Sequence, residues 1–387
     1  MYSDVSKIFD TVEDISRTIT HEDAELTDKL ARWPERSLRK LQQEGLAGLT
    51  VPLEHGGLGH GAQVLAQVCE TLGQQCASTA ICYGMHCVGS AVIASKVTDY
   101  QQEKYLTPIC EGNHLTSLSL SEAGSGAHFY LPQTRMQYSS EHEYKINGAK
   151  SFVTNGSKAD SYVVSAVAEG SSMPGEQFNC VMIKGDAKGL IWDEEWKGLG
   201  LRGNSSRNLE LKAVKISDND ILGQFGDQIW YVFNVITPYF LAAMAGAYVG
   251  VAKAAIDEAT QHIKNRQFSF NGRSLASSSV IQYQLGCLWA KYSRTRALVH
   301  HATECYDNND DNSLIELFSA KAEVANAVVE IVNESMTLCG GVAYREGSKL
   351  DRLLRDARAS HVMSPTTEIL RIWTGRSLLD QPLLTDT

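Results

Sequence analysis

The hydrophobic pattern of this chain changes its period twice, and that change constrains the fold more than any other feature. Apolar residues recur every three to four positions in residues 1–113 and again in residues 223–387, whereas in residues 114–222 they recur every second position. The first period is typical of helices that bury one face, and the second is typical of strands. The sequence therefore predicts an α+β protein in which a middle β domain separates two helical domains. Where these layers meet we expect a cleft suited to a ligand.

Composition and charge exclude several classes of function. The net charge is −10 and no long basic run is present, so we expect no nucleic-acid partner. The nine cysteines are odd in number and show no C-x-x-C spacing, which favours reduced thiols in a cytoplasmic protein and predicts no metal site. The uncharged segment 232–252 is long enough to cross a bilayer, but it contains Asn234 and Pro238 and lacks flanking basic residues. We interpret it as a buried helix and expect no membrane association.

The best candidate for a ligand site is the stretch 115–128, which reads L-T-S-L-S-L-S-E-A-G-S-G-A-H. Leucines alternate with serines, as in a strand with one hydroxyl-lined face, and the strand ends at Gly124 and Gly126. Glycine lets the backbone approach a ligand closely and leaves N–H groups free to bind it. This pattern predicts a polar, phosphate-bearing or planar cofactor. The G-x-G-x-x-G motif is absent, so a Rossmann fold is not supported.

Local signals place further elements. Asn147-Gly148 follows a strand pattern that begins at Tyr144 and predicts a hairpin turn. Short strands are predicted at residues 151–154, 162–167, 179–183 and 209–216. A helix with one apolar face is predicted to begin at a Ser313-x-x-Glu316 capping box and to end at Gly340-Gly341.

Five motifs, in order along the chain, resemble those of the acyl-CoA dehydrogenase family. They begin at Val51, Ser121, Asn147, Gly198 and Leu338, and they read V-P-L-E-H-G-G-L-G, S-E-A-G-S-G, N-G-A-K-S-F-V-T-N-G, G-L-G-L-R-G-N-S-S and L-C-G-G-V-A-Y. The resemblance covers nearly the whole chain. It implies an N-terminal helical domain (1–113), a middle β-barrel or sandwich domain (114–222) and a C-terminal four-helix bundle (223–387).

The resemblance also implies FAD, bound between the β domain and the C-terminal bundle of a homodimer or homotetramer. Phe152 replaces a tryptophan that usually stacks on the flavin, and Thr154 would hydrogen-bond the flavin N5. Gly340 and Gly341 would lie against the FAD of a neighbouring subunit. The full set of cofactor-binding positions implied in this way is Leu118, Ser119, Leu120, Ser121, Gly126, Ala127, Phe152, Val153, Thr154, Arg266, Gly340, Gly341, Thr366, Thr367 and Glu368.

The chain departs from the family where the catalytic base is expected. In the reaction that the resemblance implies, a carboxylate removes the substrate α-proton while a hydride leaves for flavin N5. Ser364 occupies the usual base position, and Phe240 lies in the segment 239–241 where other members carry the glutamate. Both positions lack a carboxylate. Ser364 is the candidate catalytic residue, and a serine hydroxyl cannot take that proton unaided.

Other residues are candidates for substrate contact or proton transfer. His86, His128 and Phe240 are the candidate substrate-contacting residues, and His361 is a further histidine that would reach the flavin in place of the missing base.

Three hypotheses remain open at this point. The first is an FAD-dependent oxidoreductase that oxidises a small acyl thioester, bound to CoA or to an acyl carrier protein, with a relocated base and an unknown electron acceptor. The second is a flavin-dependent monooxygenase or oxidase on the same fold, in which reduced flavin meets O₂. The third is a flavin-binding scaffold without activity.

Overall fold

The computed structural model describes residues 5–169 and 178–384. Its N-terminal part is helical, and π-helical turns at residues 16–20 and 102–106 join some of the helices. The helix at residues 77–95, which follows the first family motif, is apolar and almost completely buried. The helices of this part are α1 (Val5–Ile15), α2 (His21–Lys29), α3 (Glu35–Gln43), α4 (Ala62–Gly73), α5 (Ala77–Ser95), α6 (Asp99–Gln101) and α7 (Thr107–Cys110).

The middle part is a single mixed sheet. Its strands are β1 (Thr116–Ser119), β2 (Arg135–Ser140), β3 (Glu143–Val153), β4 (Ser161–Ala168), β5 (Phe178–Lys184), β6 (Leu190–Trp192), β7 (Arg207–Ser217) and β8 (Ile221–Leu222). They are ordered β6-β7-β3-β2-β4-β5-β8, and β1 pairs in parallel with β4. Because β1 also packs against α5, its C-terminal end lies between the sheet and the helices.

The hairpin predicted at Asn147-Gly148 is wrong, because β3 continues through both residues. The register with β7 shifts between Ile146 and Gly148, which marks an irregularity inside one strand. A Cβ on Gly148 would lie 2.7 Å from the Cα atom of Thr134. The glycine is therefore needed for a close approach of two backbones and not for a turn.

The C-terminal part is a helical bundle. Its helices are α8 (Gln228–Tyr231), α9 (Thr237–Asn265), α10 (Ser279–Asp307), α11 (Ser313–Cys339), α12 (Lys349–Val362) and α13 (Thr367–Leu378), with a π-helical turn at residues 232–236 between α8 and α9. Helix α9 is central and packs against α4, α5 and α11. A Cβ on Gly246 would lie 2.1 Å from the carbonyl oxygen of Ala66, so α4 and α9 cross almost in backbone contact.

Two further predictions concern these helices. The capping box at Ser313 is not formed: α11 begins at Ser313 itself, its N-cap is Asn312, and no side chain caps it. The prediction that segment 232–252 is helical and buried inside the protein agrees with the structure. Two stretches, Ala77–Ser95 and Gln228–Asn265, are long and apolar enough to cross a membrane, and 100% and 89% of their apolar windows are buried inside the protein.

Candidate active site

A cavity of about 420 Å³ lies where the three parts of the chain meet. One side, which we call the β wall, is formed by residues 118–123 at the end of β1, residues 151–154 at the end of β3 and the loop residues 200–206 before β7. The other side, the helical wall, is formed by Ile236, Thr237 and Phe240 around the start of α9 and by residues 362–365 after α12. Three layers thus contribute to one pocket, as the order of periods predicts.

An aromatic pair stands at the β wall because β3 ends in a bulge. The register of β3 with β7 shifts between Lys150 and Val153, and Phe152 has φ of 57°, in the left-handed region. This conformation turns the Phe152 ring out of the sheet, where it is 65% exposed. The ring meets Trp196 edge to face, with 6.2 Å between the ring centres. The cavity therefore has an open aromatic surface able to cover a planar ligand.

Several buried polar atoms of the cavity have no protein partner. Ser119 Oγ, Asn204 Oδ1 and Thr237 Oγ1 belong to lining residues, and each lacks a hydrogen-bond partner among the residues that the structure describes. Leaving such an atom unpaired costs about 1–3 kcal/mol. The backbone of Thr154 is held in place because Ser117 Oγ donates to the Thr154 carbonyl oxygen at 2.8 Å. The Thr154 hydroxyl lies 3.4 Å from Ser206 Oγ. An apolar pocket with a few unpaired polar groups fits a flavin ring, which is apolar on its faces and polar along its edges.

The carboxylate that lines the cavity is not available as a base. Glu122 accepts hydrogen bonds from Lys150 Nζ at 2.6 Å, from Thr134 Oγ1 at 2.8 Å and from the backbone N–H groups of Gln133 and Thr134. Burial alone would raise the pKa of Glu122, but the charge and hydrogen bond of Lys150 lower it overall. Lys150, itself fully buried, also donates to the carbonyl of Leu120. This ion pair fixes the β wall from behind.

The helical wall is anchored by a second buried lysine. Lys321 on α11 is 0% exposed, and its Nζ donates to the carbonyl oxygens of Met363 at 3.2 Å and Pro365 at 2.9 Å. These two carbonyls flank Ser364, whose segment lines the cavity. Burial lowers the pKa of Lys321 to about 8, while the charge of Glu368 acts in the opposite direction. Lys321 thus loses its hydration on burial, and its hydrogen bonds to the two carbonyls hold the turn that carries Ser364.

The histidines predicted to contact the substrate do not reach the cavity. His86 is buried, accepts the Thr116 N–H on Nδ1 at 3.1 Å and pairs through Nε2 with the carbonyl of Ala47 at 2.9 Å. Its burial lowers its pKa to about 4, so it is a neutral core residue. His128 pairs with the hydroxyl of Tyr130 at 2.7 Å, and His361 lies 3.5 Å from Thr367 Oγ1. Neither His86 nor His128 is among the residues that line the cavity, and their contact with a substrate stays a prediction.

The remaining predicted positions divide into two groups. Ser364 and Phe240 line the cavity, and so do these predicted cofactor residues: Leu118, Ser119, Leu120, Ser121, Gly126, Phe152, Val153 and Thr154. The others lie outside its walls. They are Ala127 in the turn after β1, Arg266 in an exposed segment after α9, Gly340 and Gly341 on the surface at the end of α11, and Thr366, Thr367 and Glu368 at the start of α13. Their contact with FAD stays a prediction.

Four residues important to the site were not identified from the sequence. Lys321 interrupts the apolar face of α11 between Phe318 and Ala322, and a charge in that place is a readable signal of a buried anchor. Asn204 lies inside the motif that begins at Gly198, and that motif is the signal that could have identified it. Thr237 and Trp196 carry no comparable signal, because their contact with the cavity depends on turns that bring distant segments together.

Three family models match the chain. They describe the acyl-CoA dehydrogenase N-terminal domain over residues 4–113, the middle domain over residues 117–214 and the C-terminal domain over residues 240–379. The chain belongs to the acyl-CoA dehydrogenase family. The fold class and the resemblance predicted from the motifs are thereby confirmed, and the protein is a flavoprotein oxidoreductase of the type that acts on CH–CH donors.

Individual relatives agree with this assignment. The cyclohex-1-ene-1-carbonyl-CoA dehydrogenase of Syntrophus aciditrophicus is 30% identical over 339 residues, which cover 87% of this chain and 80% of that protein. The butyryl-CoA dehydrogenase structure from Megasphaera elsdenii superposes with a TM-score of 0.91 at 22% identity and covers 98% of this chain and 99% of that one. The prolyl acyl carrier protein oxidase AnaB has a TM-score of 0.84 at 22% identity, with 96% and 99% coverage. At such identities the two structures show the fold alone.

Proposed function

We propose that this protein binds FAD in the cavity and oxidises a small acyl thioester, carried by CoA or by an acyl carrier protein, in the cytoplasm. The observation that carries the proposal is the β wall, where an exposed aromatic ring, a fixed threonine and two buried polar atoms without a partner among the described residues, Ser119 Oγ and Asn204 Oδ1, face one apolar pocket. The names of two similar proteins support a thioester substrate, since one is a cyclohex-1-ene-1-carbonyl-CoA dehydrogenase and the other is a prolyl acyl carrier protein oxidase.

The residues of this chain would hold the cofactor as follows. Phe152 would cover the face of the ring, and the end of β1 at Leu118–Ser121 would line its edge. Thr154 would direct its hydroxyl to the flavin, since its backbone is fixed by Ser117. Bound FAD would supply a hydride acceptor at N5. The protein contributes position, a dry pocket and hydrogen bonds.

The helical wall would supply the substrate half of the site. Phe240 and Pro365 exclude water, and Ser364 and Thr237 offer hydroxyls that can donate to a substrate oxygen. None of the residues lining the cavity in the described ranges is a carboxylate or histidine free to accept a proton, because Glu122 is bound on both oxygens. This observation favours a second candidate, a monooxygenase or oxidase that uses O₂ and does not require removal of an α-proton.

Anaerobic mixing separates these two candidates. Under the first proposal, a panel of acyl-CoA esters and acyl carrier protein thioesters bleaches the oxidised flavin without O₂. Under the second, no thioester bleaches it, whereas NAD(P)H with a flavin reductase reduces it and O₂ is then consumed with a suitable acceptor. A flavin that neither donor reduces would indicate a scaffold. A Ser364→Glu variant that gains acyl-CoA oxidation would show that only the base is lacking.

We also propose a homodimer or homotetramer. Gly340, Gly341, Val342 and Tyr344 form an exposed turn after α11, and Tyr344 is 84% exposed. This turn is where the family places the cofactor of a neighbouring subunit. Sedimentation of the holoprotein should give a dimer or tetramer, and a monomer would contradict the proposal.

A further inference from the structure

The two walls of the cavity differ in what their hydroxyl groups have to bind. On the β wall a cofactor ring accounts for polar groups along β1 and β3. A reacting group must then lie between that ring and the helical wall, beside Ile236, Thr237 and Phe240. Two of these three residues are apolar. Thr237 is therefore a polar group in the part of the pocket where a hydrocarbon acyl chain would need none.

The Thr237 hydroxyl differs from those of Thr295 and Thr303, two buried threonines of α10. Thr295 donates to the carbonyl of Lys291 at 2.8 Å and Thr303 donates to that of Val299 at 2.9 Å, each four residues back along its helix. Thr237 is 1% exposed, and its Oγ1 has no partner among the residues described. Its hydroxyl is therefore available to a ligand.

A π-helical turn directly precedes Thr237. The Thr237 N–H bonds to the carbonyl of Val232, five residues back, and the next residue is Pro238, which has no N–H. The wider turn shifts the carbonyls that a helical threonine normally reaches. Such π turns recur at functional sites. Here the turn presents Thr237 and Phe240 together to the cavity.

The charge of the pocket limits what Thr237 can bind. Glu122 is neutralised by Lys150, and Lys321 faces the backbone carbonyls behind Ser364. The other polar groups on the walls are hydroxyls and the carboxamide of Asn204. A neutral hydroxyl or keto oxygen matches these groups, whereas a charged group would lack a counter-ion.

We propose that Thr237 is a specificity-determining residue whose hydroxyl binds a neutral oxygen substituent on the acyl group, so that the substrate is a short hydroxy- or keto-acyl thioester and not a plain hydrocarbon one. Ser364 supplies a second hydroxyl on the same wall. This inference rests on the proposed thioester function and names its substrate class.

Binding of matched esters to the holoprotein tests the inference. Butyryl-CoA, 2-hydroxybutyryl-CoA and 3-hydroxybutyryl-CoA are titrated into the wild type, Thr237→Val and Thr237→Ser, and binding is followed by calorimetry and by perturbation of the flavin spectrum. We expect at least one hydroxy ester to bind the wild type about tenfold more tightly than butyryl-CoA. Thr237→Val should reduce that ratio to about threefold or less, and Thr237→Ser should keep it.

Thr303→Val is the matched control, because Thr303 is equally buried, lies outside the cavity and donates within its own helix. It should leave the ratio unchanged and lower the melting temperature of the protein without added ester, whereas Thr237→Val should not lower it. A wild type that binds all three esters equally, a ratio that survives in Thr237→Val, or a melting temperature that falls as in Thr303→Val would overturn the inference. Failure of the wild type to bind any of the three acyl groups, tested both as CoA esters and as acyl carrier protein thioesters, would instead overturn the thioester function, and the substrate class with it.

Discussion

The two walls of the cavity follow different rules. The β wall carries family motifs, and several of its polar groups are fixed by contacts within the protein, such as Lys150 with Glu122 and Ser117 with Thr154. Ser119 Oγ and Asn204 Oδ1 on the same wall have no hydrogen-bond partner among the described residues. The helical wall carries Ser364 and Phe240 where the resemblance predicts carboxylates. Its segment around Ser364 is held by Lys321 on the carbonyls of Met363 and Pro365, and the Tyr248 hydroxyl contacts Met363 Sδ. From this comparison we propose that the cofactor half of the site is retained while the reaction half has changed. Function therefore has to be inferred from the helical wall.

Removal of Lys150 should have the largest effect. Lys150→Met leaves Glu122 buried without its counter-ion, and breaking a buried pair in this way costs about 3–5 kcal/mol. Chemical denaturation of the holoprotein should show that loss, together with release of flavin from a disordered β wall. Lys253→Met is the control, since Lys253 pairs with Asp257 near the surface and such pairs contribute about 0–1 kcal/mol. Equal effects of the two variants would contradict the role given to the β wall.

The free energy of unfolding should change at alkaline pH because of Lys321, which anchors the helical wall. Because burial lowers the pKa of Lys321 from 10.5 to about 8, the unfolded chain binds more protons than the folded one between these values. The contribution of Lys321 to the free energy of unfolding therefore rises with pH in this window, by about 3 kcal/mol in total. The titratable groups that interact electrostatically with Lys321 are His361 on α12 and Glu368 on α13.

Denaturation of the wild type and Lys321→Met from pH 7 to 11 measures this contribution. The difference between their unfolding free energies should change across the window and level off above it. A difference that stays constant with pH would show that Lys321 is not a buried ammonium in the folded protein.

A smaller effect is expected on the affinity for FAD, to which the β wall should contribute more than the helical wall. Thr154→Val removes the hydroxyl that faces the proposed flavin position and should weaken FAD binding about tenfold, the equivalent of one hydrogen bond. Ser364→Ala removes a hydroxyl of the helical wall and should change FAD affinity by less than about twofold. Equilibrium dialysis against FAD measures both, and a larger loss in Ser364→Ala would reverse the assignment of the walls.

The sequence predicted the β wall better than the helical wall because the β wall is encoded locally. Residues 118–121 and 152–154 are short runs within two strands, and their motifs place them directly. Thr237 depends on a π-helical turn that no local pattern announces. The sequence could not show that His86 is packed in the core, because its hydrogen-bond partners, Ala47 and Thr116, lie 39 and 30 residues away along the chain.

Two local sequence patterns led to wrong structural predictions. Asn-Gly is the commonest sign of a tight turn, but Gly148 is required by the approach of Thr134 within a continuous strand. The Ser-x-x-Glu pattern at Ser313 matches a capping box, yet the helix begins at that serine with Asn312 as its cap. In both cases tertiary packing, which the residues alone do not specify, selected the outcome.

The central claim is that the cavity between the β wall and the helical wall binds FAD. The most direct measurement is the flavin absorbance of the purified protein after incubation with FAD and gel filtration, in the wild type and in Thr154→Val. The account predicts a yellow wild-type protein with one FAD per chain and a reduced content in the variant. A colourless wild type that does not retain added FAD would contradict it.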